Sequence, residues 1–158
     1  MSDASISLRH AVATLAYRAS RAIRGAAPGF GDFKAGPTTK TPREILSHIG
    51  DLLDWALSHV SGEQKWKDGP PRSWDQEVER FYAALKTLDD RLAVPEPIKC
   101  SAERLFQGPL ADALTHVGQI SMLRRLAGSP AGGENFFIAE IVDGRVGPEQ
   151  AKPLREFD

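Results

Sequence analysis

The stretch that most constrains the fold is Pro109–Gly128, PLADALTHVGQISMLRRLAG, which reads as one long helix. Asp112 and His116 are four residues apart, so they lie one turn apart on one face. At about 100° per residue, Gln119, Ile120 and Leu123 fall near the same stripe, and Leu110, Leu114 and Val117 line a roughly opposite face. A helix apolar on both sides belongs in the middle of a bundle. A carboxylate and an imidazole turned into such an interior must be satisfied there. A divalent cation, a hydrogen bond between them, or a water would each do so.

Three further helices are expected. Over Ile6–Arg24, Leu8, Val12, Leu15, Ala19, Ala22 and Ile23 form a helical stripe, with His10 and Tyr17 off it. His10 is therefore expected at the surface rather than as a ligand. Thr41–Val60 opens on Thr41-Pro42-Arg43-Glu44, a capping box with proline at the first helical position. Ile45, His48, Leu52, Trp55 and Ala56 share one face of it, which puts His48 on an apolar stripe. His59, eleven residues on, lies roughly 16 Å further along the axis and reads as a C-terminal histidine that cannot share a cation with His48. A second capping box, Ser73-Trp74-Asp75-Gln76, opens a helix to about Leu92. Its stripe is Trp74, Val78, Phe81, Leu85, Leu88 and Leu92, and Asp89, Asp90 and Arg91 read as a solvated cluster.

Between these lie breaks. Gly25–Lys40 holds no period and is long for a loop in a compact domain; Phe30 and Phe33 predict that it packs onto the bundle. It has the length for a crossover between the first two helices. Ser61–Arg72 reads as a polar turn. Cys100 is expected to be structural. Ser101 caps a short helix, Ala102–Phe106, and Gly108-Pro109 breaks the chain before the long helix, which Gly128 ends beyond Arg124 and Arg125. From Ser129 on, the chain is irregular. Asn135 could cap a short helix to about Val142, or the same residues could form a strand, and the tail is expected to lie across the bundle.

The expected architecture is all-α: one domain over residues 1–158, a four-helix bundle over about 6–128 with a long crossover after the first helix, and an irregular C-terminal extension over 129–158. The net charge of −1 gives no electrostatic footprint for nucleic acid, and no basic stripe or recognition-helix pattern is present. No run approaches eighteen apolar residues, and the first ten residues lack a basic segment followed by an apolar one. Neither membrane insertion nor secretion is therefore expected, and the default location is the cytoplasm. The single cysteine agrees with a reducing compartment.

His48, Asp112 and His116 are the candidates for one site, one ligand from the second helix and an i, i+4 pair from the fourth. Two imidazoles and a carboxylate suit zinc, nickel, iron or manganese better than calcium or magnesium. Three protein ligands leave open positions for water or substrate, and the Gly25–Lys40 loop and the C-terminal tail are expected to wall the pocket. Glu44, one turn from His48, is expected to cap its helix rather than serve the site.

The segments TPREILSHIGDLLDWA and GPLADALTHVGQISMLRRLAG resemble the DinB/YfiT-like superfamily of small four-helix bundles, over about residues 6–128. The resemblance makes His48 the family's first ligand. His116-Val117-Gly118-Gln119 resembles the second half of the family's fourth-helix motif, which makes His116 another ligand; Asp112 stands where that motif has a histidine. It implies a metal-dependent enzyme, a hydrolase or a thiol-dependent transferase, acting on an unidentified small molecule. The alternative is a non-catalytic bundle that forms a homodimer or binds a protein partner, with His48, Asp112 and His116 as a buried hydrogen-bond network fixing helix register.

Overall fold

The computed structural model describes residues 3–157, with side chains from Ser7 onward. Four helical stretches pack as a bundle: α1 (Asp3–Ile23), α2 (Pro42–Val60), α3 (Trp74–Ala93) and a last stretch made of α4 (Ala102–Leu105) and α5 (Ala111–Leu126). Both α1 and α2 pack against α3 and α5. The apolar stripes meet in one core, with Leu15, Leu46, Ile49, Leu53, Phe81, Leu85, Leu88 and Leu110 fully buried. Burying each such side chain is worth about 1.5–3 kcal/mol, so the interleaved stripes are what hold the four helices together.

The helix starts follow from local chemistry. Thr41 accepts from the Glu44 amide while the Glu44 carboxylate accepts from the Thr41 amide at 2.7 Å. That backbone bond holds the Glu44 carboxyl below its ordinary range. Ser73 and Gln76 repeat the device on α3. Glu44 is exposed and engaged in its cap, as expected.

Two expectations are corrected, and two further groups are buried that the sequence did not single out. Gly108-Pro109 does not break the chain. A π-helical turn, Phe106–Leu110, carries it from α4 into α5, and the Ala111 amide donates to the Phe106 carbonyl five residues back. The wider turn admits the proline ring, and Pro109 is buried within it. The triplet at the end of α3 is not all solvated: Asp89 is buried, and its two carboxylate oxygens each accept from the Arg9 guanidinium at 2.9 Å. Tyr17 is off the first stripe yet 1% exposed, because the tail covers that side of α1. Arg124, in the last turn of α5, is turned inward. It is 3% exposed and reaches the C-terminus of α1.

The extension does lie across the bundle. Asn135 caps only a 3-10 turn, Phe136–Ile138, not a helix to Val142. The strands sit outside the expected segment: β1 (Gly133–Glu134) pairs antiparallel with β2 (Glu156–Phe157), Gly133 opposite Phe157. Val146 is buried in the core cluster, Arg24 donates to the Pro148 carbonyl at 2.6 Å, and Tyr17 donates to Glu134. The Gly25–Lys40 stretch packs too. Phe30 is buried edge-on against Trp74, ring centroids 5.4 Å apart. Gly31 permits that approach, since a Cβ there would stand 2.5 Å from the Trp74 Cβ.

Candidate metal centre

α2 and α5 are neighbours, and each turns one flank toward the same strip of surface. On α5 and the turn that leads into it the buried set is Leu110, Ala113, Val117, Ile120, Leu123 and Arg124. That stripe runs between the two faces expected from the sequence, so Ile120 and Leu123 join Val117 in the core and Gln119 is exposed. Asp112 and His116 fall on its edge. On α2, Ile45, Leu52 and Ala56 are buried as expected, while His48 and Trp55 lie at the margin, half-buried. The candidate ligands are therefore not deep in the interior. Their side chains are 32% (His48), 46% (Asp112) and 19% (His116) exposed.

The structure brings the three together. One ligand atom from each lies within 4.8 Å of the others. An Asp112 carboxylate oxygen is 3.7 Å from His48 Nε2, and the other is 3.2 Å from His116 Nδ1. The imidazole rings meet edge to face, centroids 4.7 Å apart. His116 Nδ1 also lies 2.8 Å from the Asp112 backbone carbonyl. A carbonyl can only accept, so this contact puts the proton on Nδ1 and leaves the lone pair on Nε2. Orienting a ligand imidazole through its other nitrogen is the usual way a protein fixes its tautomer.

The donor set fits a transition-metal cation: two imidazoles and a carboxylate, with room left for other ligands. Ligand atoms bound at about 2.1 Å in a tetrahedron stand about 3.4 Å apart, so the set needs a small contraction. The half-exposed Asp112 carboxylate has the freedom to supply it.

The other histidines stay out of the centre. His59 packs edge to face against Trp55, centroids 4.8 Å apart, and His10 contacts Asp143 at 3.1 Å near the surface. The surroundings differ from what the sequence suggested. Trp66, from the supposedly plain polar turn, stands 6.0 Å from His48 and 5.8 Å from Trp55, ring centre to ring centre. A depression of about 440 Å³ beside Asp112 is lined by Trp55, Gln107, Gly108, Ala111 and Thr115, with no residue of 25–40 or of the tail. The only hint of Trp66 in the sequence was a large aromatic side chain in an otherwise polar loop.

Compared with protein-family models, with curated proteins and with solved structures, the chain matches none. Among the described residues no helix is long and apolar enough to cross a membrane.

Proposed function

We propose that this chain is a divalent-metal-dependent enzyme, a hydrolase or a thiol-dependent transferase acting on a small molecule. One observation carries the reading: donors from two separate helices converge within 4.8 Å, at a surface a substrate can reach. The resemblance to the DinB/YfiT-like bundles supports it. In this reading His48, Asp112 and His116 hold zinc, nickel, iron or manganese. When bound, such a cation supplies Lewis acidity to a substrate oxygen or sulfur. The chain's part is positional. The Asp112 carbonyl keeps His116 in one tautomer, and Trp55 and Trp66 offer flat apolar surface beside His48.

The rival is a non-catalytic bundle whose homodimer or protein partner uses its apolar surface. In its favour, Asp112 already lies between the two imidazoles, at 3.2 and 3.7 Å. Against it, a network that fixes helix register belongs in the core, and Asp112 is half exposed. The deciding measurement is metal analysis by inductively coupled plasma mass spectrometry on protein purified without chelator, beside His116→Ala. The proposal expects one divalent ion per chain, absent from the variant. A wild type that holds none after incubation with zinc, nickel, iron and manganese sinks it.

A further inference from the structure

Beside the depression at Asp112 lies a second one of about 490 Å³. The two share Trp55, Gln107 and Gly108 in their linings, so they form one groove. The far end carries Lys99, Arg104 and His59, and among the described residues no carboxylate lines it. A depression of about 660 Å³ elsewhere differs, since Asp51, Asp54 and Glu77 line it beside Arg80 and Arg72, whereas the two lined by Arg21 have no carboxylate either. Glu103 is close in sequence, but its carboxylate is engaged by the Ser101 hydroxyl and does not line the groove. The Lys99 ammonium and the Arg104 guanidinium make no hydrogen bond or ion pair among the described residues.

We infer that Lys99 and Arg104 form an anchor for the carboxylate end of an elongated small molecule, whose other end lies at the His48–Asp112–His116 centre. The inference rests on the proposed function for the second half of that statement and on the groove alone for the first. Arg104 and Asp112 are eight positions apart on one continuous helical stretch, so the ends are separated by about 12 Å along the axis. A guanidinium presents a planar fork that matches a carboxylate, and the nearby ammonium adds a second positive charge. Between the ends, the Trp55 ring gives a flat apolar floor and the Gln107 amide a polar rim. The ligand class is thus an acid with an apolar or amide-containing body, not a neutral or cationic molecule. Cys100 also lines the groove, but burial pushes its thiol up, away from the thiolate, and it has no part in the anchor.

Two titrations separate the two halves, both read by nuclear magnetic resonance at the Trp55 indole. In the first, metal-free protein is titrated with octanoate and with octanamide. Octanoate is expected to bind about fivefold to tenfold more tightly, and the preference to shrink as salt rises. The variant Lys99→Gln/Arg104→Gln should abolish the preference and leave octanamide unchanged. Equal binding of acid and amide, no binding of either, or a preference that survives the double substitution overturns the anchor. In the second, zinc-loaded protein is titrated with suberic acid monohydroxamate and its methyl ester. The acid should exceed the ester by the same factor, again only with Lys99 and Arg104 present. A hydroxamate that adds no affinity in the presence of zinc, with the octanoate preference intact, overturns the link to the metal centre and leaves the anchor standing.

Discussion

Two polar clusters on α5 have opposite fates. Near its end, Arg124 is 3% exposed and spends every donor it has. Its Nε donates to the Ser129 carbonyl at 2.5 Å, one terminal nitrogen to the carbonyls of Ala22 and Arg24 at 2.9 Å, and the other to Gly25 and to the Ser129 hydroxyl. These are carbonyls at the ends of α1 and α5, groups left over when a helix stops. Nearer the start, Asp112 and His116 are part-exposed and keep lone pairs to spare. The difference teaches how to separate a structural polar group from an available one on the same helix. Burial with every donor matched marks the first, and partial exposure with convergent, unspent acceptors marks the second.

The sharpest test of the structural cluster is Arg124→Met, which keeps volume and removes all five donors. The carbonyls of Ala22, Arg24 and Gly25 lose their partner at a packed junction, so the expected cost is about 3 kcal/mol of unfolding free energy, measured by urea titration. Metal content of the folded protein should not change. A loss below about 1 kcal/mol would break the distinction, because it would mean that water replaces Arg124 without penalty.

A smaller effect is expected where the tail seals α1. Tyr17 is buried and donates to Glu134, which also lies 3.2 Å from Arg21. Burial first, then the bond to Glu134, pushes the Tyr17 hydroxyl up to about 12. A group whose folded pKa is raised lends its stability in full below its unfolded value, about 10, and loses it as pH rises through about 12. Wild-type stability should therefore fall between pH 10 and 12 by more than that of Tyr17→Phe, which lacks the ionisation. Parallel slopes in urea melts at pH 9, 10 and 11 would show that the tail does not hold Tyr17 protonated.

The contrast between the two clusters also explains what the sequence made legible. Helix existence was local, because Thr41 with Glu44 and Ser73 with Gln76 carry the caps within four residues. The identity of the site residues was half local. The i, i+4 spacing put Asp112 and His116 on one edge, and only the packing of α2 on α5 brought His48 to them. Periodicity could not tell core from flank, since α5 is apolar on two sides and its buried stripe ran between the two faces expected. Nor could it foresee groups whose partners are remote. Asp89 sits in a run of charges and is buried only because Arg9, eighty residues earlier, meets it. Arg124 depends on the end of α1 about a hundred residues away, and Trp66 on a loop fold that no helical period describes. Pro109 misled because a π-turn, not a break, was its solution.

The smallest expected effect concerns the available cluster itself. Asp112→Asn removes a charge from a side chain that is 46% exposed and keeps its shape. In metal-free protein the unfolding free energy should stay within about 0.5 kcal/mol of wild type, because no buried group is orphaned. The metal should then expose the role that stability alone hides. A cation at a hundred times its dissociation constant adds about 2.7 kcal/mol to a protein that binds it only when folded. Wild type should thus melt several degrees higher with zinc than with chelator, and Asp112→Asn should lose most of that difference while matching wild type in chelator. A variant that is strongly destabilised without metal would instead place Asp112 with Arg124, as a group spent on holding helices together, and would favour the hydrogen-bond network over the metal centre.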